Sequence, residues 1–289
     1  MKTEKTIYAL GFFDGVHVGH QALLKACRAL ADSLGCKAGV VTFVSHPDTL
    51  VRGETPRLLN TVDSRRRLLQ GYGMEAVVEL PFDAALKTMP WRSFLALLQQ
   101  QYGAAGFVCG DDFRFGFRAE GDVETLKSLT RVRVEVENLL CINGEKVSAT
   151  TIKKYVEEGE VEKASALLCG GYFLKGTVVK DRGVGRTLSF PTANILFGEK
   201  LQLKEGVYET SVHYEGKTYR AITNYGTRPT FFNDVKVAET YLDGFCGDLY
   251  GVELKVSFVR RLRDVQKFES KERLIQQLQE DIRRVREHD

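Results

Sequence analysis

Gly11-Phe12-Phe13-Asp14-Gly15-Val16-His17-Val18-Gly19-His20 decides how the first half of the chain is read. An apolar run, residues 7–13, leads into it, and Leu23, Leu24, Cys27, Leu30, Ala31 and Leu34 follow at three- and four-residue steps. That pattern predicts a strand, a tight glycine turn and a helix. Two histidines three apart at a helix start share one face. The unpaired backbone N–H groups and the dipole of such a helix end favour an anion. Gly15 and Gly19 leave room for a phosphate close to the backbone. The stretch therefore reads as a phosphate site with two imidazole donors, His17 and His20. A single histidine in this place would more simply be a cap or a surface residue.

The rest of the composition narrows the class. With 289 residues, 43% of them hydrophobic and 27% charged, the chain has the balance of a soluble globular protein and room for two domains. A net charge of +3 is too small for a nucleic-acid footprint. No apolar stretch nears the roughly 20 residues that span a bilayer. Lys2 and Lys5 precede a short apolar run with no cleavage pattern. The six cysteines (Cys27, Cys36, Cys109, Cys141, Cys169, Cys246) form no C-x-x-C pair, which argues against zinc and for a reducing compartment. The expectation is a cytoplasmic protein of small-molecule substrates, a monomer or weak oligomer, with no nucleic-acid or membrane partner.

Along the first half, short apolar runs at residues 39–44, 76–80, 106–109 and 132–136 alternate with helical patterns at residues 63–71 and 91–101. Strands separated by helices predict βαβ units and a parallel sheet, with ligands at the carboxyl ends of the strands. After about residue 170 the pattern changes. Residues 172–180, 206–214, 218–224, 235–242 and 252–258 are strand-like with little helix between them, and Glu215-Gly216 suits a hairpin turn. This predicts an antiparallel barrel or sandwich. Leu274, Leu278, Ile282 and Val285 mark a final amphipathic helix, and residues 150–168 a helical linker. The predicted domains are residues 1–168 and 169–289.

Three further segments carry chemistry. Asp111-Asp112-Phe113-Arg114-Phe115-Gly116 could line a flat-ring pocket; composition alone leaves a core-facing Phe pair with a surface arginine equally open. Asp181-Arg182-Gly183-Val184-Gly185-Arg186 leads into Pro191-Thr192-Ala193-Asn194, whose hydroxyl and amide oxygens are hard ligands of the kind Mg²⁺ takes. Taken alone, these residues read more simply as a turn and a capped strand. On the strand 235–242, Val235, Val237, Glu239 and Tyr241 share a face. A carboxylate among apolar neighbours is a better proton acceptor, although a paired structural glutamate fits as well.

The Gly11–His20 stretch resembles the H-x-G-H nucleotidyltransferase signature. In its longer form it is similar to the adenylyltransferase half of bacterial riboflavin kinase/FAD synthetases. Thr42-Phe43-Val44-Ser45-His46-Pro47, residues 110–116 and the P-T-A-N tetrad resemble that family's motifs in the same order, as does Glu239-Thr240. The resemblance implies a Rossmann-like α/β nucleotidyltransferase domain followed by an antiparallel β-barrel domain with a C-terminal helix. It implies phosphorylation of riboflavin to FMN and adenylylation of FMN to FAD, with ATP as co-substrate and Mg²⁺ as cofactor. Gly11, Phe13, Asp14, Gly15, Gly19, Ser148, Thr150 and Lys153 would meet ATP in the first domain, with His17 and His20 catalytic. Asp112, Phe113, Arg114 and Phe115 would meet the flavin. In the second domain Glu239 would be the general base, Thr192 and Asn194 the metal ligands, and Arg182, Gly183, Arg186 and Pro191 the nucleotide contacts.

The segment Val147-Ser148-Ala149-Thr150-Thr151-Ile152-Lys153 departs from the family's I-S-S-T-R-I-R. A serine becomes Ala149, one arginine Thr151 and the other Lys153, which keeps charge but loses the bidentate fork. A lost charge-assisted phosphate contact costs on the order of 1.5–3 kcal/mol. The departure motivates an alternative reading, a riboflavin kinase with an impaired N-terminal domain. Ser148 and Thr150 read equally well as helix caps.

Overall fold

The computed structural model describes residues 4–128, 132–138, 140–142, 144–180, 192–197, 203–227 and 236–287. The chain divides into two compact units, Met1–Thr151 and Ile152–Asp289.

The first unit is built on β1 (Thr6–Leu10), β2 (Lys37–Phe43), β3 (Ala76–Leu80), β4 (Ala104–Gly110) and β5 (Arg133–Glu137). They form one parallel sheet in the order β3-β2-β1-β4-β5. Between them run α1 (Val18–Leu34), α2 (Pro47–Val51), α3 (Val62–Gly71), α4 (Ala84–Lys87), α5 (Trp91–Tyr102) and α6 (Val123–Lys127). β1 is central and every one of its residues is buried, which is why its sequence is an unbroken apolar run. Tyr8, Leu10, Phe94, Leu98, Phe107 and Leu126 belong to one core. The chain goes outward from β1 through β2 and β3, then returns to start β4 and β5 on the other side. The switch point is thus at the carboxyl ends of β1 and β4, where ligands bind in such sheets.

The strand ends earlier than the apolar run. β1 stops at Leu10, and Phe13, Gly15 and Val16 take left-handed backbone angles, φ 59°, 79° and 42°. The chain turns sharply here to enter α1, so the last apolar residues of the run bury themselves in a turn. A two-strand hairpin, β6 (Cys141–Ile142) and β7 (Glu145–Lys146), has no counterpart in the sequence reading; each strand is too short to show a period.

The stretch expected to be a helical linker forms α7 (Ala149–Glu158) and α8 (Val161–Leu167). In the second unit, β8 (Phe173–Val179), β9 (Thr192–Phe197), β10 (Gly206–Tyr214), β11 (Lys217–Thr227), β12 (Lys236–Leu242) and β13 (Glu253–Arg263) close into a barrel. The order is β10-β11-β12-β9-β8-β13 and all pairings are antiparallel. Glu215 and Gly216 make the predicted hairpin turn with φ 47° and 76°. β13 runs on to Arg263 because it pairs with β10 along that extension. Inside the barrel, Thr210, Thr223 and Thr240 form a hydroxyl ladder with oxygen separations of 2.8 and 3.0 Å. The fold class is the one expected: a Rossmann-like α/β domain, then an antiparallel barrel and a final helix. No helix among the described residues is long and apolar enough to cross a membrane.

That helix, α9 (Lys271–Arg286), lies on the outside of the barrel with Ile282 and Val285 packed against Val207 and Ile222. An ion pair and a backbone hydrogen bond, both from β13, fasten it to the barrel. Arg263 forks onto Asp281, which is fully buried, and Arg260 holds Glu209 at 2.6 Å on β10 while donating to the Arg284 carbonyl. Removing one member of a buried pair strands the other charge, which typically costs about 3–5 kcal/mol. Asp281→Ala is therefore expected to lower the stability of the second unit by about 3 kcal/mol in calorimetry. The paired change Arg263→Met/Asp281→Leu should recover most of that loss.

Candidate active sites

The switch point carries a cavity of about 240 Å³. Leu10 and Gly11 line it from the end of β1, Gly110, Asp112 and Phe113 from the end of β4, and His17, Gly19, His20 and Leu23 from the start of α1. Lys146, Val147 and Ser148 close the remaining side. His17 is the N-cap of α1: its Nδ1 accepts the His20 backbone N–H at 3.4 Å. An accepting Nδ1 leaves Nε2 to carry the ring proton. The His20 ring stacks on it, centroids 3.6 Å apart and planes 19° apart. A Cβ on Gly19 would come within 3.2 Å of His17 Nδ1, so this position must be bare for the imidazole to lie as it does.

Burial, and secondarily the positive charge of Lys146, push the His17 pKa down to about 4. Burial and the neighbouring His17 lower His20 as well. Both rings are therefore neutral near pH 7. The His20 Nδ1 is buried with no hydrogen-bond partner among the described residues. Among the described residues, a helix N-terminus, two neutral imidazoles and the Lys146 ammonium face this crevice, together with Asp112 and Glu137.

The other expected residues of this unit are distributed unevenly. Asp14 is buried, and its Oδ1 accepts the backbone N–H groups of Leu59 (2.8 Å) and Asn60 (3.4 Å). Phe13 is fully buried and Gly15 shapes the turn. Phe113 lines the cavity and stacks on Phe115, which lies in the core. Arg114 points to the surface and pairs with Asp122 at 2.9 Å. Asp112 pairs with Lys146 at 2.7 Å. Ser148 lines the cavity and also caps α7, accepting the Thr151 N–H at 3.1 Å. Thr151 itself bonds the Lys146 carbonyl. Thr150 is exposed on α7, with Lys153 one turn on, and neither is among the cavity's lining residues. Lys146 was missed by the sequence reading, which looked for cations inside residues 147–153 and not just before them. Glu137 and Asn138, at the end of β5, also line the cavity without any sequence signal.

In the barrel, β12 and β9 lie in register so that Glu239 faces Asn194 and Tyr241 faces Thr192. The Thr192 hydroxyl donates to Glu239 Oε1 at 3.1 Å. The Asn194 side chain is buried, and its Oδ1 has no hydrogen-bond partner among the described residues. An orphaned amide oxygen, a hydroxyl and a carboxylate thus share one outer face of the barrel. Such hard oxygens suit Mg²⁺, which takes a few protein oxygens and keeps others for water and phosphate. Val237 shares this face, as does Tyr241, whose hydroxyl bonds Asp243. Val235, Arg182, Gly183, Arg186 and Pro191 lie outside the described residues.

Comparison with known proteins agrees in both halves. A family model described as FAD synthetase matches residues 1–151, and one described as riboflavin kinase matches residues 168–288. A bifunctional riboflavin kinase/FMN adenylyltransferase of Listeria monocytogenes is 31% identical over 285 residues, 95% of this chain and 90% of that protein. The protein of the same name from Bacillus subtilis is 29% identical over 96% of this chain and 90% of its own length. A crystal structure described as a macrolide-efflux protein from Streptococcus pneumoniae superposes with a TM-score of 0.92 at 27% identity, covering 100% of this chain and 96% of that one.

The depressed His17 pKa makes a prediction with a definite sign. Between about pH 6.5 and 4 the unfolded chain binds a proton at this residue that the folded chain refuses. Its contribution to stability is fully present above pH 6.5 and is lost as the pH falls toward 4. In NMR titration the His17 ring should show a midpoint near 4 without nucleotide. ATP should raise it, because a phosphate favours the charged ring.

Proposed function

Because the chain belongs to the family of bifunctional riboflavin kinase/FMN adenylyltransferases, we propose a division of labour among its residues. The enzyme phosphorylates riboflavin to FMN with ATP, and adenylylates FMN to FAD with release of pyrophosphate. The observation that supports the assignment is that the two groups of reactive side chains lie in different units. The stacked imidazoles lie wholly in Met1–Thr151, and the carboxylate with its oxygen neighbours wholly in Ile152–Asp289.

For adenylyl transfer, the ATP phosphates lie over the N-terminus of α1, with Gly11 and Gly19 leaving the backbone open to them. A phosphate oxygen of FMN attacks the α-phosphorus, and His17 and His20 donate to the oxygens that gain charge. Neutral rings serve here as hydrogen-bond donors that need no rearrangement, the preorganisation that lowers such barriers. Lys146 supplies the positive charge that Thr151 does not, and Phe113 offers a ring face to the flavin. Ser148 can meet a phosphate only while sharing its hydroxyl with the cap of α7. Asp14, Phe13 and Gly15 act by shaping the turn.

For the kinase step, Glu239 takes the proton of the terminal ribityl hydroxyl as that oxygen attacks the γ-phosphorus of ATP and the bond to the β–γ bridging oxygen breaks, releasing ADP. The Thr192 hydroxyl holds the carboxylate in place. Thr192 and Asn194 would hold Mg²⁺, which when bound neutralises phosphate charge. Arg182, Gly183, Arg186 and Pro191 are proposed nucleotide contacts on the family resemblance alone.

Product analysis of riboflavin, ATP and Mg²⁺ mixtures tests this division. Glu239→Gln should lower FMN formation about 100- to 10,000-fold while leaving conversion of added FMN to FAD intact. His17→Ala/His20→Ala should lose FAD formation by at least about 100-fold and keep the kinase. A single folded variant that lost both activities equally would contradict two separable sites.

A further inference from the structure

α3 presents three consecutive arginines, and they do not share a fate. Arg67 reaches Asp63 at the surface, and Arg66 reaches Glu79. Arg65 points inward and is fully buried. Its Nη2 donates to the Phe43 carbonyl at 2.5 Å, where β2 ends, and its guanidinium lies 4.4 Å from the centroid of the Phe12 ring. Its Nε and Nη1 are buried with no hydrogen-bond partner among the described residues. Burial lowers the pKa of this group, while Asp14 and Glu79 act in the opposite direction. A guanidinium cannot shed its proton at ordinary pH, so it stays charged in an interior that solvates it with one carbonyl, one ring face and two nearby carboxylates.

What it touches explains why a charge is placed there. Phe12 belongs to the turn whose next residues include the left-handed Phe13, Gly15 and Val16. The Phe12 carbonyl accepts from Thr42 Oγ1 at 2.9 Å, and Asp14 draws the 59–60 backbone, one turn before α3, onto the same bend. Arg65 therefore joins three segments: the bend after β1, the end of β2 and α3. A β-branched residue at φ 42°, as at Val16, is a strained state that persists only where surroundings over-determine it.

We propose that Arg65 is a positioning residue for adenylyl transfer: wedged between the Phe12 ring and the Phe43 carbonyl, it holds the Phe13–Val16 bend in the shape that places His17 and the N-terminus of α1 against ATP. The role rests on the reading that this bend cradles ATP. Loss of that charge lets the bend relax, and the phosphate subsite shifts without any ligand-touching group being removed.

The test uses the full chain and its two activities, with the kinase as internal control. Arg65→Met keeps the stem and removes the charge. Its kcat/KM for ATP in FAD formation is expected to fall about 100-fold, chiefly through KM, as misplacement by about 1 Å does. Riboflavin phosphorylation by the same preparation should stay within about twofold, a difference below 1 kcal/mol. Arg65→Lys, which restores charge without the planar stack, should recover part of the loss. If Arg65→Met does not fold, Phe12→Leu removes only the ring face and should raise the ATP KM about fivefold. An Arg65→Met protein with unchanged ATP KM, a loss shared equally by the kinase, or an unfolded Arg65→Met with a wild-type Phe12→Leu overturns the proposal. FAD synthesis that survives His17→Ala/His20→Ala instead removes the underlying reading, so the two failures are distinguishable.

Discussion

The bend that carries the chain from β1 into α1 is the constraint on which the first unit depends. Two non-glycine residues, Phe13 and Val16, sit at positive φ there, a cost on the order of 1–3 kcal/mol each. The bend survives because several groups fix it at once. Val16 N–H bonds the Phe13 carbonyl, Asp14 takes the Leu59 and Asn60 amides, and the Phe13 side chain is fully buried. A relaxed turn would carry His17 away from the N-cap of α1. The stack with His20 and the open crevice beside Gly19 would go with it, since both are defined relative to that cap.

The electrostatics of that crevice differ from a simple cationic phosphate trap. Its imidazoles are neutral, because burial and Lys146 disfavour a second and third positive charge. The Lys146 ammonium at its rim pairs with Asp112. Fixed dipoles and N–H donors thus carry more of the field than net charge does. Such a site favours an oxygen that is becoming more negative over one that is already solvated, which is the discrimination that group transfer needs. In the barrel the emphasis is reversed. Among the described residues, oxygen atoms gather around Glu239: the Thr192 hydroxyl and the Asn194 amide oxygen.

How much of this was legible in the sequence depended on whether a feature had a period. The central strands, α1, α3, α5 and the barrel strands β10 to β12 announced themselves through alternation or three- and four-residue steps. Short features were weaker: the β6–β7 hairpin has two residues per strand, and of β9 only a turn and a capped strand at residues 191–194 could be read. The turn before α1 was legible through its glycines and histidines, but that Asp14 accepts the Leu59 and Asn60 backbone amides was not. The Phe113–Phe115 pair was ambiguous from composition, and its two rings divide, one lining the cavity and one in the core. Arg65 shows the limit most clearly. Nothing in the run Arg65-Arg66-Arg67 marks which arginine is buried, and the three-dimensional neighbours of α3 show that Arg65 points inward.

The threonine ladder inside the barrel has a consequence for the opposite wall. Side chains alternate along β12, so Thr240 can reach Thr223 only when its neighbours Glu239 and Tyr241 point outward. A slip of one residue would turn the carboxylate into the lumen and leave Thr223 without its bond to Thr240, with only Thr210 still beside it. Three small alcohols in the barrel's centre thereby act as a parity key. They favour one alignment of β12 against β11, and through it they keep Glu239 on the face that Asn194 shares.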